Sequence, residues 1–112
     1  MQIVPSPVNG VTFCHANFIV MGENVYEPAR KWCTRNKVFL VHYRDIQGSA
    51  RGLRETFHDN GPTDMARLMK IYRESGFNGP MRPDHAPVLA GESNGRPGYM
   101  RGVLDMIQSP KA

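Results

Sequence analysis

Hydrophobic and polar positions fall in blocks along this chain, and the blocks predict strands and helices in turn. Val11-Thr12-Phe13-Cys14 is a short β-type run behind the breaker pair Asn9-Gly10. Asn24 to Trp32 predicts a short helix, with Asn24 as cap and Pro28 near its first turn. Lys37 to Tyr43 is the clearest strand. It is continuously apolar from Val38 to Val41, as suits a parallel strand buried on both faces. Gln47 to Pro62 is polar and carries Gly48, Gly52 and Gly61, so it reads as a long loop. Thr63 or Asp64 then caps a helix running to about Glu74. Its Met65, Leu68, Met69 and Tyr72 recur at helical spacing as one apolar stripe, and Ser75-Gly76 stops it. Gly79 to Asp84 predicts a short, proline-bounded strand, and Ala86 to Gly98 another loop. Tyr99 to Ile107 closes as a helix with Met100, Val103, Leu104 and Ile107 on one side. The order β-α-β-α-β-α predicts an α/β fold with a parallel sheet and right-handed crossovers. Its strands are Val11–Cys14, Val38–His42 and Met81–Arg82, with their C-terminal ends facing one way.

Composition narrows the classes. The 112 residues carry 14 Lys and Arg against 10 Asp and Glu, a net charge of +4. The basic residues are scattered, so neither a nucleic acid nor a membrane surface is expected as a partner. No apolar run approaches the ~20 residues of a membrane span. A hydrophobic fraction of 40% suits a globular core rather than disorder. Met1 to Gly10 holds two prolines and no charged leader region, so no signal peptide is expected there. Cys14 and Cys33 form no C-x-x-C pair, and free thiols in a reducing cytoplasm are the expectation.

The chemistry gathers where the strands end. The first ends in Cys14-His15, the second in His42-Tyr43-Arg44-Asp45, the third in Asp84-His85. In parallel α/β sheets and barrels, that edge is where separate strands contribute active-site residues. Thiolate, imidazole and carboxylate together suit a divalent first-row transition ion better than Ca²⁺, which prefers all-oxygen shells. Each residue also has a plainer reading. Cys14 alone reads as a buried core thiol, His42 as a hydrogen-bonded core histidine, and Asp84 as a turn cap behind Pro83. His58-Asp59 fits either a solvated loop or a substrate-binding one.

Longer stretches carry a resemblance. Val41-His42-Tyr43-Arg44-Asp45, Phe57-His58-Asp59-Asn60-Gly61, Asp64-Met65 and Gly79-Pro80-Met81-Arg82-Pro83-Asp84-His85 follow one another in the order of the mannonate dehydratase family. Leu89-Ala90-Gly91-Glu92 and Gly98-Tyr99 continue it, and Pro5 to Cys14 resembles the same family upstream. Arg82-Pro83-Asp84-His85 with Tyr99 following is the most specific part. The resemblance implies a TIM (β/α)₈ barrel that dehydrates D-mannonate to 2-keto-3-deoxy-D-gluconate in hexuronate breakdown, using Mn²⁺ or Fe²⁺. It implies Cys14, His42 and Asp84 as metal ligands, and His85 and Tyr99 as the acid–base residues. Arg44 and His58 become substrate contacts. The family's first metal-binding histidine has no counterpart here, and His15 would point to the opposite sheet face if the strand continued.

A (β/α)₈ barrel typically takes ~250 residues, so the chain reads as the C-terminal part of one, its last three to four βα units, with no second domain. Such a piece leaves open edges and an uncovered face. The expected partners are therefore a small sugar acid and either the missing N-terminal barrel half or further copies of the chain. A non-catalytic remnant and another metal-dependent sugar isomerase are the alternative readings.

Overall fold

The computed structural model describes residues 4–87 and 96–109. Strands β1 (Val11–Cys14), β2 (Val38–His42) and β5 (Met81–Arg82) form one sheet in the order β1-β2-β5. Both pairings are parallel. All three strands lie where the apolar blocks predicted them.

Register puts the strand ends side by side. Cys14 stands opposite His42, and His42 opposite Arg82. An irregularity between Val11 and Thr12 shifts the first pairing, after which Thr12 faces Leu40. Cross-strand partners share a face. Thr12, Leu40, Cys14, His42 and Arg82 therefore share one side of the sheet. The other side carries Phe13 and Val41 into the core, against Ala29 and Cys33 of α2 (Tyr26–Thr34), Leu68, Met69 and Tyr72 of α3 (Met65–Glu74), and Met100 and Val103 of α4 (Arg96–Gln108).

The helices form for the reasons visible in their sequences. In α3 the stripe Met65, Leu68, Met69 and Tyr72 is buried, and Ile71 joins it. Of the two candidate caps it is Asp64 that acts, its carboxylate accepting the Arg67 N–H at 2.9 Å. Gly76, at φ +76°, takes the left-handed turn that ends the helix. Helix α2 begins two residues after Asn24 and runs past Trp32. The Asn24 side-chain oxygen still accepts the N–H groups of Tyr26 and Glu27, at 2.8 and 3.4 Å. Helix α4 starts at Arg96, ahead of the predicted Tyr99.

Two elements depart from the predicted order. A short helix, α1 (His15–Val20), follows β1 directly. The predicted loop from Gln47 to Pro62 is largely a hairpin instead. Strands β3 (Asp45–Ser49) and β4 (Gly52–Thr56) pair antiparallel, outside the main sheet. Glycine and charge spacing hid it, because its exposed arm has no apolar alternation. Gly48, at φ +115° near the end of β3, bends the arm into the Ala50-Arg51 turn, and a Cβ there would run into the Gly52 carbonyl. Beyond the hairpin, buried Asp45 fastens the chain. Its carboxylate accepts the Ile46 and Thr63 N–H groups, each at 2.9 Å, and the Thr63 hydroxyl at 2.7 Å. The segment Leu89-Ala90-Gly91-Glu92 lies outside the described residues. Among those described, no helix is long and apolar enough to cross a membrane.

Candidate metal centre and acid–base residues

Three strand ends converge. One ligand atom each from Cys14, His42 and Asp84 lies within 4.8 Å of the other two. Donor atoms on one tetrahedral first-row ion at ~2.0–2.3 Å stand about 3.3–3.8 Å apart, so a bound ion would draw these three together by up to about 1.5 Å. Cys14 is buried; His42 and Asp84 are half-buried. The donor set is one soft thiol, one imidazole and one carboxylate, which fits a divalent transition ion.

Charges surround the carboxylate. Asp84 Oδ2 lies 3.5 Å from His42 Nδ1 and accepts Arg44 Nη1–H at 3.1 Å. The other terminal nitrogen of Arg44 pairs with Glu55 Oε1. Exposed His85 sits between the two acids, with Nε2 3.6 Å from Asp84 Oδ1 and Nδ1 3.9 Å from Glu55 Oε1. His85 thus lies beside Asp84 at the strand ends, while Arg44, expected as a substrate contact, has its terminal nitrogens on Asp84 and Glu55. Glu55 was not among the predicted residues. No local pattern signalled it, because the arm that carries Glu55 back to the strand ends has no apolar alternation.

His58 is buried. Its Nε2–H donates to the Tyr43 carbonyl at 2.7 Å. Its ring lies between Tyr43 and Tyr99, with centroids at 5.7 and 6.0 Å and both planes within 19° of parallel. Tyr99 thereby stands at the outer end of a ring stack with His58 and Tyr43. Burial raises its phenol pKa above the ordinary value, helped by the carboxylates of Asp59 and Asp64.

His15 turns away from the cluster. The strand ends at Cys14, and the first turn of α1 carries His15 into the core. There its Nε2 shares a 2.6 Å hydrogen bond with the Tyr72 hydroxyl. Burial pushes its pKa down to about 3, against an opposing contribution from the Arg44 backbone, with His58 and His42 adding to the decrease. It is held neutral at ordinary pH. Cys33, among the core side chains, has its thiol pushed up to about 11 by burial and is inert as a nucleophile.

A parallel βα sheet whose C-terminal edge gathers a thiol, an imidazole, a carboxylate and a flanking histidine defines a class: part of a (β/α) barrel with its chemistry at the usual rim. The comparisons name the family. The D-mannonate dehydratase (UxuA) family model matches residues 1–109, and the chain belongs to that family. Mannonate dehydratase from Streptococcus uberis is 36% identical over 109 residues, covering 94% of this chain and 30% of the relative. The Lactococcus lactis subsp. lactis enzyme is 33% identical over 110 residues, covering 93% and 30%. The crystal structure of mannonate dehydratase from Streptococcus suis superposes with a TM-score of 0.82 at 22% identity, covering 95% of this chain and 34% of that one. That likeness confirms a partial TIM-barrel fold. The chain spans about a third or less of the length of the relatives it matches.

Proposed function

We propose that this chain supplies the metal-binding and acid–base rim of a hydro-lyase that converts D-mannonate to 2-keto-3-deoxy-D-gluconate and water. The observation that carries the reading is the convergence of Cys14, His42 and Asp84 from three separate strand ends. In this reading all 112 residues form one unit, the last three to four βα units of the barrel, working in a reducing cytoplasm. The three residues hold Mn²⁺ or Fe²⁺ together with ligands from the remainder of the barrel. The ion supplies Lewis acidity to the oxygens of the sugar acid.

The remaining work falls to this chain's own side chains. The reaction takes a proton from the carbon next to the carboxylate and loses the neighbouring hydroxyl as water. One group must accept that carbon proton and another must donate to the departing hydroxyl. His85 and Tyr99 are the pair, since an imidazole and a phenol can each donate or accept a proton. Arg44, beside Asp84, is the substrate contact on this rim, whereas His58, buried between Tyr43 and Tyr99, serves the site by holding the Tyr99 ring.

The test is a 2-keto acid assay with D-mannonate alongside Mn²⁺ titration, each with Cys14→Ser and His42→Ala controls. The 112 residues alone should bind Mn²⁺ weakly and turn over negligibly, because a missing ligand removes both a bond and the order it imposes. Joined to the rest of a family barrel, they should restore turnover, and both substitutions should abolish it. Turnover that survives either substitution would overturn the assignment.

A further inference from the structure

The hairpin outside the main sheet has one polar side chain that points back to the strand ends. Glu55 pairs with Ile46 across β3 and β4, so both occupy the same hairpin face. Ile46 is fully buried and packs with Cys14 and Ala16. That packing seats the hairpin against β1 and α1, and Glu55 is brought in beside it, three-quarters buried.

Four charged or titratable groups then close a ring. Glu55 pairs with Arg44, Arg44 with Asp84, Asp84 with His85, and His85 returns to Glu55. Arg44 is the hinge of this ring. A guanidinium is planar and presents its donors in a fixed fork. With Asp84 on one terminal nitrogen and Glu55 on the other, its plane is fixed from two sides. Asp84 in turn has Oδ2 fixed by Arg44. Carboxylates that ligate metals depend on such outer donors for their orientation. Charge points the same way. Arg44 alone would place a full positive charge beside a site meant for a cation, and Glu55 neutralises it.

We propose that Glu55 is a positioning residue of the candidate metal centre, acting through Arg44 on Asp84. The β3–β4 hairpin is the device that delivers it. The proposal rests on the reading of Cys14, His42 and Asp84 as metal ligands.

Two measurements on the 112-residue chain separate that reading from this one. The first follows the Arg44 guanidinium protons by NMR, assigned with Arg44→Lys. Without any metal they should be individually resolved, because both terminal nitrogens are held. Glu55→Ala should collapse them to an averaged signal, and Glu55→Gln, which keeps an acceptor oxygen, should bring them back. The second titrates Co²⁺ and follows thiolate-to-cobalt absorption. Glu55→Ala should weaken binding about tenfold, the loss expected for an outer-shell partner, with Glu55→Gln in between. Unchanged Arg44 signals and unchanged Co²⁺ affinity in Glu55→Ala would overturn the role. So would a Gln variant no better than Ala in the NMR measurement. Absence of Cys14-dependent Co²⁺ binding even when the chain is joined to the rest of a family barrel would instead sink the metal reading, leaving the Arg44 signals to judge Glu55.

Discussion

His15 and Tyr72 face each other in the core, and burial acts on both. The His15 pKa falls from 6.5 to about 3, and desolvation pushes the Tyr72 phenol well above its ordinary 10. Between pH 6.5 and 3 the unfolded chain binds a proton at His15 that the folded one refuses, so stability is lost as pH falls. The loss is about 1.4 kcal/mol per pH unit within that window. Above pH 10 the unfolded chain releases a Tyr72 proton that the folded one keeps, so stability is also lost as pH rises. The thermal midpoint should therefore be highest between those limits, and His15→Gln should fall off less steeply on the acid side. Equal acid slopes would contradict the burial argument. Gly61 makes a second residue-scale case. A Cβ there would overlap the Asp45 carboxylate and the Thr56 hydroxyl. The Asp45 carboxylate is tied to the Ile46 and Thr63 N–H groups and the Thr63 hydroxyl, so it cannot move freely. Gly61→Ala should cost about 2 kcal/mol, an ordinary figure for overpacking, read as a lower denaturant midpoint.

At the scale of elements, α3 depends on its first turn. Asp64 satisfies one of the orphan N–H groups there, and the Tyr43 hydroxyl donates to the Met65 carbonyl at 2.6 Å. Asp64→Ala should destabilise the chain by about 1 kcal/mol, with Asp64→Asn nearly silent, as urea unfolding would measure. The helix matters beyond its own stability. Tyr43 stacks on His58 and His58 on Tyr99, so the entry of α3 and the ring stack share one residue. A loosened first turn should therefore disturb Tyr99 as well.

At the scale of the molecule, the described residues form one three-stranded parallel sheet with α2, α3 and α4 packed on one side and the β3–β4 hairpin outside it. They extend over 46 × 45 × 23 Å, a slab thin in one direction. Thr12 and Arg82 are exposed on the side that a closed barrel would fill, with Leu40 beside them half-buried. β1 and β5 are the outer strands of the sheet. Open parallel edges beside a partly apolar face template association. Sedimentation velocity should show the 112-residue chain self-associating as concentration rises. A single compact monomer at all concentrations would contradict this, and mixing with the complementary part of a family barrel should suppress the association.

What the sequence determined by itself was periodic or local. The three strands, the stripe of α3 and its glycine stop were legible, because an apolar period and a cap are written in neighbouring residues. So was the pairing of Cys14, His42 and Asp84 with strand ends, since a parallel order alone aligns those ends. The hairpin was not, because exposed Gln47, Arg51 and Arg54 carry no alternation that distinguishes a strand from a loop. Nor was the fate of His15, which depends on the strand stopping one residue earlier and on Tyr72, far along the chain, waiting for it. Tertiary structure alone decided that Glu55 stands beside Arg44, and that His58 is a stacked core ring. Those contacts join residues 11 to 57 positions apart, and no local preference encodes a distance that only packing sets.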